Sequence, residues 1–145
     1  MTKGDVYRVL KEDHKNIKKL FREAIQDTSK YPEARKELEA HMVGEEKFLY
    51  PAMEFIDETK VKENEREHEE AFRKMARMKN MDERSREWIN SLNQLNDIVV
   101  HHMDSEEESN GLFDEASEVL SEEAEEDILH LYEELKLEAE EETKS

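Results

Sequence analysis

The chain has 145 residues, no cysteine and a net charge of −18, which arises from 40 acidic and 22 basic residues. The length suits one domain. The absence of thiols excludes disulfides, iron–sulfur clusters and thiolate zinc sites. The acidic charge argues against nucleic acid or an anionic membrane as a partner, since both are bound through Lys and Arg. No stretch approaches the length of a transmembrane helix and the N-terminus lacks the apolar segment of a signal peptide, so we expect a soluble, cytoplasmic protein.

Apolar residues recur with helical spacing over five segments, and good helix formers dominate throughout. The first segment runs roughly from Asp5 to Gln26, with an apolar stripe of Val6, Leu10, Ile17, Phe21 and Ile25. After a polar break at residues 28–32, the second carries Ala34, Leu38, Phe48, Leu49, Ala52 and Ile56. Pro51 lies within this second pattern and predicts a kink or a local loss of regular hydrogen bonding, because proline has no N–H.

Three more segments follow a second break at residues 57–60. The third carries Val61, Ala71, Phe72, Met75 and Met78. The fourth, for which Asp82 is the predicted N-cap, carries Trp88, Leu92, Leu95, Ile98 and Val99 and ends near residues 109–111. The fifth begins after Asp114, with a stripe of Leu120, Ala124, Ile128, Leu131 and Leu135, and residues 140–145 are expected to form a frayed tail.

Four long helices with short connections pack most readily as an up-down antiparallel four-helix bundle. We therefore predict an all-α fold in which residues 1–116 form the bundle and residues 117–145 form an extra acidic C-terminal helix with its tail. The sequence leaves open whether this helix caps the bundle, packs along it or mediates self-association.

Six polar residues occupy positions on the apolar stripes. They are His14 in the first segment, His41 and Glu45 in the second, His68 in the third, and His102 and Glu106 in the fourth. A lone histidine on such a stripe is more often a hydrogen-bonded core residue than a ligand. Two buried carboxylates are different, because each costs several kcal/mol unless it is paired or bound to a cation, and no Lys or Arg on the stripes can pair with both. The pattern therefore predicts a metal site.

The number and type of these side chains indicate which metal. Six ligands exceed the four of a tetrahedral zinc site. Four imidazoles and two carboxylates suit two ions that share the carboxylates, and mixed nitrogen and oxygen coordination with open positions fits non-haem iron, for which manganese or zinc can substitute.

The residues around these positions resemble the hemerythrin-like family, also described as the HHE cation-binding domain. The motifs, in order over about residues 10–115, are EDHKNIKKLF, HMVGEEKFLYP, EREHEEAF and VVHHMDSEEESNGLF. The second motif is the most specific. The resemblance implies a pair of iron ions bridged by Glu45 and Glu106, often with an oxo or hydroxo bridge, and terminal imidazoles from His14, His41, His68 and His102.

Two departures from the family pattern matter. Oxygen-carrying hemerythrins place a second histidine four residues after the one in the third helix, and this chain has Phe72 there. In the fourth helix, His101 has the oxygen carrier's spacing of five residues to Glu106 and is the rival of His102. Periodicity favours His102, because it continues the apolar stripe, whereas His101 continues a polar face.

The expected function is that of a non-haem di-iron protein that binds or senses dioxygen or reactive oxygen or nitrogen species, with a small diatomic ligand as its partner. Turnover of peroxide or nitric oxide at the same site is the enzymatic hypothesis. The binding hypothesis is an iron-storage or iron-delivery module whose acidic surface collects cations, and a last hypothesis is a metal-free helical interaction protein.

Overall fold

The computed structural model describes residues 4–144, with side chains through residue 141. Every regular element in this part of the chain is helical, which confirms the predicted all-α class. The helices are α1 (Asp5–Gln26), α2 (Tyr31–Gly44), α3 (Tyr50–Met53), α4 (Glu58–Met78), α5 (Arg86–Glu107), α6 (Leu112–Val119) and α7 (Glu122–Lys144). A 3₁₀ turn, Thr28–Lys30, precedes α2, and a π-helical turn, Glu45–Leu49, joins α2 to α3.

Short polar side chains fix the starts of α4 and α5. The Asp57 carboxylate accepts a hydrogen bond from the Lys60 N–H at 3.1 Å, and the Ser85 hydroxyl accepts one from the Trp88 N–H at 3.1 Å. The prediction that Asp82 caps the helix of Trp88 is wrong. Asp82 instead accepts from the Arg84 N–H in the preceding turn, so Ser85 takes the capping position.

The irregularity predicted near Pro51 is present. The π-helical turn Glu45–Leu49 ends two residues before this proline, and the Tyr50 N–H donates to the Glu45 carbonyl. This bond spans five residues instead of the four of an α-helix, so the turn is wider and the side chains that follow it are rotated relative to those that precede it.

The predicted fifth segment is two helices. The backbone leaves the helical conformation at Leu120, with φ −82° and ψ 142°, and the Ser121 hydroxyl starts α7 by accepting from the Ala124 N–H. The tail predicted to fray is helical as far as Lys144, and Ser145 lies outside the described residues.

The inward face of α7 also differs from the prediction. Leu131, which was predicted to face inward, is 44% exposed, while Glu125, Ile128, Leu129 and Tyr132 are buried. The prediction holds for Ile128, which is buried, and for Leu135, which lies near Gly44. It missed Glu125 and Tyr132, because the buried face combines apolar and polar side chains.

Four of the longer helices enclose a common interior, and α7 lies outside them. α1 packs against α2 and α5, and α4 packs against α5 and approaches α2. α7 packs across α1 and α2 and reaches the π-helical turn. The predicted boundary between residues 116 and 117 falls inside α6, and the division into bundle and C-terminal helix stays a prediction. No helix among the described residues combines the length and apolar character needed to cross a membrane.

The buried apolar residues form two clusters. The Trp88 cluster includes Ile17, Phe21, Leu38, Met42, Met75, Trp88 and Leu95. The Leu10 cluster includes Val6, Leu10, Leu49, Met53, Val61, Leu112 and Ile128. On α1, His14 falls between residues of the two clusters, and His68 does so on α4. The interior therefore has an apolar part at each side of a polar layer.

Gly44 allows α7 to approach the end of α2. A Cβ atom at residue 44 would lie 2.5 Å from the Tyr132 ring and 3.3 Å from a Leu135 methyl group. The absence of a side chain at this position is therefore a packing requirement.

We expect Gly44→Ala to destabilise the protein by about 1–3 kcal/mol, because the added methyl group would overlap the Tyr132 ring. The higher helix propensity of alanine acts in the opposite direction but is smaller. The measurement is the free energy of unfolding in denaturant. In a Tyr132→Ala background the same substitution should be neutral or stabilising. Equal costs in both backgrounds would contradict the assigned contact.

Candidate metal centre

The polar layer contains all six side chains that the sequence singled out. α1 supplies His14, α2 supplies His41, the π-helical turn supplies Glu45, α4 supplies His68, and α5 supplies His102 and Glu106. Five of them have no exposed surface, and His102 is 3% exposed. The structure thus brings together residues from α1 to α5, which are far apart along the chain.

These side chains form two overlapping groups, each able to hold a metal ion. The first group is His14, His41, Glu45 and Glu106, and the second group is Glu45, His68, His102 and Glu106. Within each group the candidate donor atoms lie within 4.8 Å of one another. Because both groups contain Glu45 and Glu106, these two carboxylates lie between two pairs of histidines.

Each histidine turns its Nε2 atom toward the shared carboxylates. The Nε2 atoms of His14 and His102 both lie 3.3 Å from Glu106. Those of His41 and His68 lie 3.3 Å and 3.2 Å from Glu45. The Nε2 atoms of His68 and His102 are also 2.8 Å apart. The nitrogen donors therefore converge on the same small volume as the carboxylate oxygens.

The opposite ring nitrogen of each histidine faces a second carboxylate, and the four pairs follow a cyclic rule. Each outer carboxylate is adjacent in sequence to a member of the two groups, but it contacts the histidine of the next helix around the interior. The pairs are Asp13 with His41 (2.9 Å), Glu46 with His68 (3.5 Å), Glu67 with His102 (2.7 Å) and Glu107 with His14 (2.7 Å).

This outer ring of carboxylates orients the imidazoles. A ring whose Nδ1–H donates to a carboxylate presents the lone pair of Nε2 on its other side, which is the arrangement that metal-binding histidines commonly use. Asp13, Glu67 and Glu107 thus select the inward direction of the Nε2 atoms of His41, His102 and His14. Three of the pairs have hydrogen-bond distances, and the pair of Glu46 with His68 is longer.

Tyr50 is a further polar side chain of the centre. Its hydroxyl donates to Glu106 at 2.7 Å and lies 3.0 Å from Nε2 of His68. In a regular α-helix residues 45 and 50 would differ by roughly 140° around the axis, but the π-helical turn brings both to the same side. Burial, followed by the charges of Glu106 and Glu45, raises the pKa of Tyr50 well above its ordinary value, so the phenol stays protonated.

Tyr132 of α7 reaches the centre from outside the four enclosing helices. Its hydroxyl lies 2.6 Å from Nδ1 of His41 and donates to Asp13. Lys136, one helical turn later, lies 3.1 Å from Asp13 and 2.7 Å from Glu37. The outer partner of His41 is therefore held by α7.

The structure distinguishes the two neighbouring histidines of α5. His102 is buried, whereas the side chain of His101 is 78% exposed and lies 3.6 Å from Glu67. His101 belongs to neither of the two groups. The helical periodicity thus identified the inward residue, although the oxygen-carrier spacing favoured the other one.

Electrostatics couple the six side chains even without a metal. Burial raises the pKa of Glu45, but His41, His102 and His68 outweigh this effect, so the pKa lies well below its ordinary value. Burial lowers the pKa of His41, but Glu45 and Asp13 raise it to about 9. Carboxylates also raise the pKa values of His68 and His102 against the effect of burial. Protons on the imidazoles therefore compensate the buried negative charge.

Four buried atoms of the first group fit a bound metal ion. They are Nε2 of His14, Nε2 of His41, Oε2 of Glu45 and Oε1 of Glu106, and none has a hydrogen-bond partner. Buried polar atoms are nearly always hydrogen-bonded, so four such atoms at one place require another partner. Imidazole nitrogen and carboxylate oxygen are ligands of divalent first-row transition metals, and this donor set fits one.

The family assignment agrees with this geometry. Residues 5–116 match the family model of the hemerythrin HHE cation-binding domain, and the chain belongs to this family. Comparison with curated proteins and with solved structures gave no match. The matched region contains the six candidate ligands and ends within α6, so α7 lies beyond it.

Sequence reasoning missed the outer carboxylates and both tyrosines. A usable signal existed for the carboxylates, because each one directly precedes or follows a member of the two groups in the sequence. Tyr50 lies inside the most specific motif, beside Pro51. Tyr132 had only a weak signal: it lies four residues after Ile128 on the same side of α7, but nothing in the sequence indicates that this side meets Asp13 on α1.

A matched pair of substitutions tests the choice between the two histidines of α5. We expect His102→Gln to lower the number of tightly bound metal ions per chain, because it removes the Nε2 atom that faces Glu106. His101→Gln should leave that number unchanged, because its side chain is exposed. The measurement is elemental analysis after loading with ferrous or zinc ions and desalting. Loss of metal from the His101 variant alone would reverse the assignment.

The metal-free protein should lose stability as pH rises from about 6.5 to about 9. His41 has a pKa of about 9 in the folded protein against an ordinary 6.5, so its contribution is complete below 6.5 and is lost as pH approaches 9. Each pKa unit corresponds to about 1.4 kcal/mol. The measurement is the thermal unfolding midpoint across this range.

The stabilisation gained on adding metal should change in the opposite direction over the same pH range, since metal displaces protons from imidazole. His41→Gln should flatten the pH profile of the metal-free protein. If the unfolding midpoint of the unaltered metal-free protein rises from pH 6.5 to 9, the assigned effect of Glu45 and Asp13 on the pKa of His41 is wrong.

Proposed function

We propose that the chain is a non-haem di-iron protein that binds or senses dioxygen or reactive oxygen and nitrogen species. The observation that carries this proposal is the pair of overlapping donor groups that share Glu45 and Glu106. Each group has two imidazoles of its own, so His14, His41, His68 and His102 would be terminal ligands and the shared carboxylates would be bridges. Family membership supports a bound cation.

The donor chemistry favours iron. Each group offers two nitrogen donors and two shared oxygen donors, which resembles the 2-His-1-carboxylate sites of oxygen-using iron proteins more than the thiolate-rich or closed tetrahedral sites of structural zinc. Zinc and manganese can bind the same donors. When bound, iron would supply electron transfer to a small ligand, and the surrounding residues would orient the donors and limit access of water.

A small ligand suits this centre because few protein donors surround each ion. Four donors per group leave positions open for dioxygen or nitric oxide. Phe72, at the position where oxygen carriers have another histidine, packs with Ile98 against the Trp88 cluster and adds no donor.

We also propose that the protein acts without nucleic acid or membrane partners, in keeping with its net charge of −18, and that it is cytoplasmic.

The packing supports an up-down antiparallel arrangement of α1, α2, α4 and α5. Along α1 and α4 the chain passes from the Leu10 cluster to the Trp88 cluster. From α2 into α3, and from α5 into α6, it passes in the opposite direction. An alternating order along consecutive helices is what an up-down four-helix bundle produces, and we propose that topology for residues 1–116.

Tyr50 favours a second candidate, which is turnover of peroxide at the same centre. Its hydroxyl is a buried proton donor 2.7 Å from Glu106 and 3.0 Å from His68. Reduction of hydrogen peroxide to two waters takes up two protons and two electrons. Two ferrous ions would supply the electrons as they become ferric, and an external electron donor would restore them for the next turnover. The Tyr50 phenol, within hydrogen-bond reach of the second group, is placed to relay one of the protons. Peroxide consumption that falls in Tyr50→Phe while iron content stays constant would favour this candidate.

Iron loading tests the proposed function. After anaerobic addition of ferrous iron and desalting we expect about two iron ions per chain, one for each group, and exposure to air or nitric oxide should change the near-ultraviolet and visible absorption. Glu45→Gln should retain fewer ions, because Glu45 belongs to both groups.

The matched control is Glu125→Gln, which alters another buried carboxylate that belongs to neither group and should leave iron content unchanged. Trace iron in the unaltered protein, together with thermal stability that does not respond to a chelator, would contradict the proposal and favour a metal-free helical interaction protein.

A further inference from the structure

α7 meets the candidate metal centre through a fitted contact. The Tyr132 side chain is 2% exposed, and its ring lies 2.5 Å from where a Cβ atom of residue 44 would be. Gly44 directly precedes Glu45, so the ring sits on the backbone at the start of the π-helical turn. The rings of Tyr132 and His41 meet edge to face, with centroids 5.8 Å apart.

The hydroxyl of Tyr132 closes a three-membered hydrogen-bond network. It donates to Asp13 and lies 2.6 Å from Nδ1 of His41, and Asp13 lies 2.9 Å from the same nitrogen. Nδ1–H of His41 therefore has two acceptors. Lys136 fixes Asp13 from the next turn of α7 by a contact of 3.1 Å and binds Glu37 of α2 at 2.7 Å.

The outer contacts make the two donor groups unequal. In the first group His14 has Glu107 at 2.7 Å and His41 has two partners. In the second group His102 has Glu67 at 2.7 Å, but Nδ1 of His68 lies 3.5 Å from Glu46 and has no hydrogen-bond partner. At the outer nitrogen, the ring that α7 supports has the most hydrogen-bond partners of the four, and the ring of His68 has the fewest.

This support comes from outside the family domain. The match to the HHE cation-binding domain covers residues 5–116, and α7 spans Glu122–Lys144. Tyr132 and Lys136 therefore lie in a helix that the family match does not cover.

We propose that Tyr132 is a positioning residue of the metal centre, through which α7 makes the ion of the first group exchange more slowly than the ion of the second group. The inference rests on the proposed binding of two ions. The physical basis is that outer hydrogen bonds hold a ligand histidine in its binding orientation, and their loss typically weakens metal affinity by about 10–100-fold.

The experiment uses the full chain loaded with cobalt(II) under anaerobic conditions, because the visible absorption of cobalt reports its ligands. Excess chelator is added and the absorption is followed. We expect the unaltered protein to release cobalt in a fast and a slow phase of equal amplitude. Tyr132→Phe keeps the ring that fills the space at Gly44 and removes only the hydroxyl. It should accelerate the slow phase by about 10–100-fold and leave the fast phase unchanged.

Three further variants assign the effect. Glu67→Gln should accelerate only the fast phase, because Glu67 is the outer hydrogen-bond partner of His102 in the second group. Lys136→Gln should accelerate the slow phase to a smaller extent, because it releases Asp13 but retains the Tyr132 hydroxyl. Tyr31→Phe is the matched control: the Tyr31 hydroxyl lies 3.8 Å from the sulfur of Met78 in the Trp88 cluster, and both phases should stay unchanged.

The outcomes separate this inference from the proposed function. If the unaltered protein binds about two cobalt ions but Tyr132→Phe and Lys136→Gln release both at the normal rates, the inference is wrong and the two-ion centre stands. Equal acceleration in Tyr132→Phe and Tyr31→Phe would show general destabilisation and also overturn it. If the unaltered protein binds no cobalt, iron or zinc, both the inference and the proposed function fail.

Discussion

Two carboxylates, Glu45 and Glu106, are fully buried side by side at the centre of this protein, and their burial constrains the rest of the structure. Removing an ionised carboxylate from water costs several kcal/mol, and placing two together adds repulsion. Burial and the charge of Glu45 both act to raise the pKa of Glu106, but His102 and His14 outweigh them and lower it. Imidazoles from four helices counter this cost, either as protonated partners or as ligands that share a cation with the carboxylates. The side chains that surround this pair are therefore arranged to supply positive charge at one place.

The outer carboxylates give this arrangement its direction. Each helix that supplies a histidine also carries an outer carboxylate, either within it or directly after it. This carboxylate faces the histidine of the next helix, and the carboxylate of α5 faces the histidine of α1. The inward orientation of the Nε2 atoms thus depends on all four helices being in register. The π-helical turn adds Tyr50 to the same layer. Between two apolar clusters, the polar layer is a cooperative unit and not a set of independent side chains.

Much of the fold and of the donor set could be predicted from the sequence. The apolar stripes of the first four segments placed His14, His41, Glu45, His68, His102 and Glu106 inward, and the structure buries all six. The periodicity of α5 also separated His102 from the exposed His101. These inferences succeeded because a helix of fixed pitch converts spacing along the chain into direction in space, and because charged groups on an apolar stripe need a partner.

Contacts between residues far apart in the sequence could not be predicted in this way. The predicted fifth segment proved to be two helices, and the inward face of α7 includes polar groups, of which Tyr132 and Lys136 contact Asp13 on α1. Periodicity found Ile128 and Leu135 but not Tyr132 or Lys136, since a hydrophobic pattern carries no information about the position of a distant carboxylate. The sequence by itself determined the first four helical segments, the six inward residues and the chemistry of their donors. Only the tertiary structure decided which outer carboxylate serves which histidine and that α7 joins the centre, because those choices depend on how separate helices meet.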